Sequence, residues 1–324
     1  MNRRRFVITS TVALAVVAGA VAGLAVYSNY VVRAAIPGLP EAVGYLPQDA
    51  QGVFGANVQK FVASPAFARF EQKQGNTIAH DLGEFTARTG VDPKKDIHYV
   101  IAAGHAAQQR GRGAAIAVGT FNTAAITAFI ESHVTPIKVD YKGTTVLMIP
   151  EKDGSAIEKG VAFIKESEIA LGDLESLKAV LDVRAGAAPS IEANPTLGPL
   201  LRNLNPDEMF WFAGDAAAVL SKAPQKTPFA DSISALETVV GTLDLTDAVA
   251  GKLTLTARDE EAARKLTDVL RGFVALGQLA GEHKPEIAEL LRGVSVAQDK
   301  KLIRVVVNVP YDVIDRLEAF HKGD

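Results

Sequence analysis

Apolar positions fall into three regimes along the chain. The first is a run without charge: after Arg3, Arg4 and Arg5, no acidic or basic residue occurs from Phe6 to Val32, and Val, Ala, Leu and Gly dominate. About 20 apolar residues cross the hydrocarbon core of a bilayer. The run therefore predicts a transmembrane helix within residues 1–33. Three arginines before it, against only Arg33 just after it, hold the N-terminus on the cytoplasmic side and place the rest outside. The second regime, residues 34–50, carries Pro37, Gly38, Pro40 and Pro47 and reads as an extended linker. The third starts at Gln51, where short apolar stretches alternate with helical periodicity.

In that third regime Gln51–Val58 is strand-like, and Ser64 and Pro65 supply an N-cap and a first-turn proline for a helix running to Thr89-Gly90. Strands Asp96–His105 and Ala114–Phe121 flank a Gly/Arg turn, and Asn122 caps a helix to Val134. Hairpins within Val139–Ile149 and Gly160–Leu171 follow, and Asp173 caps a helix towards Val183. The second half repeats the order. It runs strand Glu208–Ala213, hairpin Leu236–Ala257, helical region Asp259–Arg292, hairpin Val294–Val309, and a last helix opened by Pro310. In the helical region Leu266, Val269, Leu270, Phe273, Val274 and Gly277 share one face. Ile303, Val305, Val307 and Val309 alternate with their neighbours as a half-buried strand does.

Strands joined by hairpins make antiparallel sheets, so the pattern predicts an α+β fold. It is read as two tandem related units, 51–190 and 191–324, each an antiparallel sheet with helices packed on one face. A body closing its own core from about Leu46 onward is expected.

Composition narrows the chemistry. There is no Cys, which removes disulfides, thiolate nucleophiles and Cys-ligated metals together. Without residues 1–33 the chain loses four Arg and no acid, leaving 30 basic against 37 acidic groups, net −7. That charge gives no attraction for nucleic acid. Phosphate-loop, nucleophile-elbow and zinc-protease motifs are absent, and Gly111-Arg112-Gly113 is followed by Ile116 where a dinucleotide fingerprint needs glycine. No cofactor, metal or catalytic residue is assigned. His98 and His105 point to opposite faces of one strand and cannot share a metal ion. Asp173 and Asp215 follow Gly at strand-to-helix junctions and read as helix caps; Trp211 reads as core. The candidate binding residues are Arg110 and Arg112, interleaved with Gly111 and Gly113 in a turn, where arginine forks can take a carboxylate or phosphate.

The N-terminal signals point to a bacterial envelope. Arg3-Arg4-Arg5-Phe6 fits the R-R-x-F core of twin-arginine export signals as well as a general secretory signal. Ala20-Val21-Ala22 offers a cleavage site that would release the body, but the apolar stub left behind favours an uncut anchor in the inner membrane with the C-terminal domain periplasmic. Gly19 and Gly23 match the small-residue pattern of helix dimers, a route to a homodimer. Leu46-Pro47-Gln48-Asp49-Ala50, Ser64-Pro65 and Thr89-Gly90-Val91-Asp92-Pro93 resemble the opening of uncharacterised exported bacterial proteins with one N-terminal hydrophobic segment and duplicated α+β domains. The resemblance spans most of residues 46–320 and implies no reaction, cofactor or substrate. The function expected is non-enzymatic binding or scaffolding towards an envelope protein or anionic polymer. Alternatives are a carrier of an apolar ligand and an envelope hydrolase with dispersed carboxylates.

Overall fold

The structure is a computed structural model that describes residues 39–74, 76–104, 112–150, 159–205, 207–219, 234–280 and 285–321. The anchor expected within residues 1–33, with Gly19 and Gly23, and also His105 and Arg110 lie outside the described residues. Among the described residues, no helix is long and apolar enough to cross a membrane.

Capping residues set the helix starts. Asn57 accepts from the Lys60 amide to open α1 (Val58–Val62), and Ser64 Oγ accepts from the Phe67 amide at 3.3 Å where Pro65 begins α2 (Pro65–Gln74). A separate helix, α3 (Asn76–Thr89), follows, so the one helix expected from Ser64 to Thr89 is two. Gly90, with φ of +73°, ends it in the left-handed conformation that glycine adopts freely. Next come α4 (Pro93–Asp96), α5 (Thr123–His133) capped by Asn122, and α6 (Leu174–Arg184) capped by Asp173. Then come α7 (Leu197–Arg202), α8 (Ala216–Val219), α9 (Glu260–Ala280), α10 (Pro285–Arg292) and α11 (Tyr311–His321).

The strands of the first half are β1 (Gly52–Asn57), β2 (Ile97–Gly104), β3 (Gly113–Gly119), β4 (Ile137–Tyr141), β5 (Thr144–Ile149), β6 (Lys159–Lys165) and β7 (Glu168–Asp173). Those of the second are β8 (Phe210–Asp215), β9 (Leu236–Asp244), β10 (Ala248–Ala257), β11 (Val294–Asp299) and β12 (Leu302–Pro310). All twelve form one antiparallel sheet in the order β11-β12-β10-β9-β8-β1-β2-β3-β7-β6-β5-β4. The halves therefore do not close separate sheets. They join where β1 pairs with β8, with Gly55 opposite Trp211. Outward from that seam the first half runs β1-β2-β3-β7-β6 and the second β8-β9-β10-β12-β11, the same order of connection, with β5 and β4 added at the first edge.

Alternation along these strands gives the sheet two apolar faces in the first half. One packs Ile101, Ile116, Val146 and Ala170 under Leu177, Val180 and Leu181 of α6 and Leu197 and Leu201 of α7. The other packs Val100, Ala117, Val161 and Ile169 under Phe85 of α3 and Ile126, Phe129 and Ile130 of α5. From β9 outward the second half has helices on one face, where Ala263 and Leu266 of α9 cover Val239, Leu255 and Ile303, while β8 also packs Trp211 and Ala213 with Leu197 and Leu201 of α7. The first half departs from it: its strands are apolar on both sides, and each side needs a cover. Beyond β8 the opposite face carries Thr242, Lys252, Thr254 and Arg304, none of them buried.

The linker expected over 34–50 is, from Leu39 onward, part of the core. A 3-10 turn (Glu41–Tyr45) buries Ala42, Val43 and Tyr45, and Leu46 is fully buried beside them. Its backbone is held at distance: the Ile191 amide donates to the Leu46 carbonyl at 2.9 Å and the Gln48 amide to that of Pro189 at 3.2 Å. Prolines and glycines suggested an open chain, but they place four apolar side chains against α6 and a second 3-10 turn (Ile191–Ala193). A core starting at Leu46 would lack Leu39, Ala42, Val43 and Tyr45.

Candidate functional site

Arg112 lies immediately before β3, exposed, and Gly113 begins the strand. Beside it, β7 ends in Gly172-Asp173. A β-carbon at Gly172 would stand 2.5 Å from the Gly113 carbonyl oxygen, so only glycine lets the strands approach here. Asp173 then binds both neighbours. Its carboxylate accepts from the Gly113 amide at 3.1 Å, the Ser176 amide at 3.0 Å and Ser176 Oγ at 2.6 Å, fixing the start of α6 relative to β3. Asp215 does the same simpler work for α8, accepting from the Ala218 amide at 2.9 Å. Both aspartates are caps, as their sequence context implied.

Between α6, the end of β2 and the segment after the first 3-10 turn lies a pocket of about 190 Å³. Arg112 and Asp49 line it with Glu175 and Ser176; Gly104 and Gly113 complete the lining, and Leu46 and Val180 form apolar walls. Glu175 is neutralised by Lys178, with Nζ 3.0 Å away. The arrangement suits one small polar group entering from solvent. At this size it falls below the roughly 300 Å³ or more of a typical ligand cavity, and a carrier of a large apolar ligand would need more. Arg110 and Gly111 lie outside the described residues.

A second charged cluster was missed by the sequence reading. Lys165 at the end of β6 donates to Glu41 at 2.7 Å and lies 3.6 Å from Glu168 Oε2; its ammonium also stands over the Tyr45 ring, 5.3 Å from the centroid. Tyr45 in turn donates to Glu41 at 3.0 Å. Glu168 is 4% exposed, and its Oε2 takes no hydrogen bond among the described residues. Burial pushes the Glu168 carboxyl above the usual range, with Lys165 opposing and Glu41 reinforcing the shift. Lys165 stays cationic: burial acts against its charge, but the hydrogen bonds to Glu41 and Tyr45 and the charge of Glu168 outweigh it. The local signal was faint. Glu41 and Tyr45 lie in the expected linker, and Lys165 and Glu168 flank the turn of the expected Gly160–Leu171 hairpin.

Trp211 is buried against β1, and its indole N–H donates to the hydroxyl of Tyr99 at 2.5 Å. Burial raises the Tyr99 pKa, so the pair is a neutral hydrogen bond in the core. His98 is exposed, and among the described residues no three His, Asp or Glu converge as a metal site.

No protein-family model matches the chain, and no curated protein matches it. Among solved structures it is similar to crystal form IV of TP0453 at 10% identity, over 82% of this chain and 90% of that one, with a TM-score of 0.49. Crystal form I of TP0453 matches at 10% identity over 84% of this chain and 93% of that one, with a TM-score of 0.45.

Proposed function

We propose that this chain is a membrane-tethered binding protein of the bacterial envelope. One helix within residues 1–33 crosses the inner membrane, and the body acts outside the cytoplasm by contact and not by catalysis. Gly19 and Gly23 add a helix contact between copies within the membrane. The body comprises two related α+β units, a reading supported by the shared order of strand connection on either side of the β1–β8 seam.

Arg112 at the rim of the pocket carries the binding reading. The Arg112 guanidinium fork at the pocket matches a carboxylate of a partner protein. The body's net charge of −7 and the nearby Asp49 repel a polyanion, so a single carboxylate fits better than an anionic polymer. The test is calorimetric titration of the full chain with a short N-acetylated peptide ending in Asp. Arg110→Ala with Arg112→Ala should weaken binding roughly tenfold or more at low salt, the value of one charge-assisted bond. The melting temperature should stay nearly constant, because surface substitutions usually cost within about 0.5 kcal/mol. Unchanged binding, or no binding by the parent chain, would contradict the reading; a melt several degrees lower would make the arginines structural.

A further inference from the structure

We propose that β4, one edge of the sheet, is a docking surface for a second copy of this chain, pairing with itself antiparallel about Val139. Among the described residues β4 pairs only with β5, so its other side is open. Ile137, at its start, is 51% exposed, among the largest apolar exposures described.

Turn chemistry decides which backbone groups face that open side. The β4–β5 hairpin closes through Lys142 and Gly143, with φ of 47° and 75°, the positive pair of a two-residue type I′ turn. Tyr141 opposite Thr144 is then a hydrogen-bonded pair, and bonding alternates along the strand. Ile137, Val139 and Tyr141 direct their N–H and C=O groups to β5. Lys138 and Asp140 direct theirs outward.

An antiparallel partner centred on Val139 meets these outward groups with its own. Lys138 faces Asp140 of the second copy and the reverse, giving four backbone hydrogen bonds and two cross-strand ion pairs. Ile137 faces Tyr141, and Val139 faces its own counterpart. The alternative registers fail. Centring on Lys138 sets lysine against lysine and brings Asp140 to Pro136, which has no donor; centring on Asp140 sets aspartate against aspartate. Charges on an edge usually prevent pairing. Here they forbid the wrong registers and reward one, a selective arrangement. Existing contacts are compatible with it: Lys138 Nζ lies 2.7 Å from Glu131, so it would sit between two carboxylates, and Asp140 accepts from Thr145 Oγ1 at 2.6 Å with its second oxygen available.

The chain has no cysteine, which makes a direct test simple. The Val139 pair would be non-hydrogen-bonded, with Cα atoms about 4.5 Å apart, within the range a disulfide spans. Val139→Cys in the full chain, in mild detergent under oxidation, should give a cross-linked dimer on a non-reducing gel. Adding Lys138→Asp should abolish it, and adding Asp140→Lys to that variant should restore it. A Val139→Cys chain that stays monomeric, a cross-link indifferent to Lys138→Asp, or no recovery with the swapped pair would each overturn the proposal. A dimer held only by Gly19 and Gly23 would give the indifferent result.

Discussion

At the scale of single residues, Glu168 shows how burial turns a carboxylate against the fold. Its folded pKa is raised, so the folded chain binds the proton more tightly than the unfolded chain does. The ionised side chain therefore costs stability at neutral pH, and stability is recovered as pH falls through the folded value towards the unfolded one. Glu168→Gln removes that cost. It should raise the melting temperature at pH 7, and the difference from the parent should shrink as pH approaches 4. Melts across that range check it; a variant less stable at every pH would show that attraction to Lys165 outweighs burial. Legibility at this scale followed range. The caps Asn122, Asp173 and Asp215 were readable because donor and acceptor lie three residues apart. The Glu168 environment was not, because it depends on Glu41 arriving from a distant segment.

Among the elements, the seam between β1 and β8 depends on a small residue facing a large one. A β-carbon at Gly55 would stand 2.2 Å from Trp211 Cε2, and the indole cannot retreat without losing its bond to Tyr99. Gly55→Ala should cost about 3 kcal/mol, the upper range for overpacking a core. Gly83 is the control. It lies exposed within α3 with nothing within 4 Å of a new β-carbon, so Gly83→Ala should gain about 0.5–1 kcal/mol. Thermal or denaturant unfolding measures both; equal effects would refute the packing argument. Nearly every strand was legible from alternation and turn residues. The β1–β8 pairing was not, since hairpin logic joins only neighbours along the chain, and neither Gly55 nor Trp211 announces its partner. The misread linker has the same cause: Tyr45 and Leu46 are buried by α6 and a 3-10 turn far along the chain.

Over the whole molecule, one continuous sheet unites halves that the sequence suggested were separate. Helices cover both faces of the first half and, from β9 outward, one face of the second, whose other face carries Thr242, Lys252, Thr254 and Arg304. The 3-10 turn (Glu41–Tyr45) is anchored to this body by Leu39, Tyr45 and the Lys165 contacts, only a few residues beyond the proposed membrane helix. On the proposed reading, Arg3, Arg4 and Arg5 against Arg33 set the side of the membrane on which the body emerges. Fusing a reporter that is active only outside the cytoplasm after Asp324 measures it directly. The membrane-tethered, extracytoplasmic reading predicts an active reporter in the membrane fraction; a silent reporter on a stably expressed fusion would contradict it.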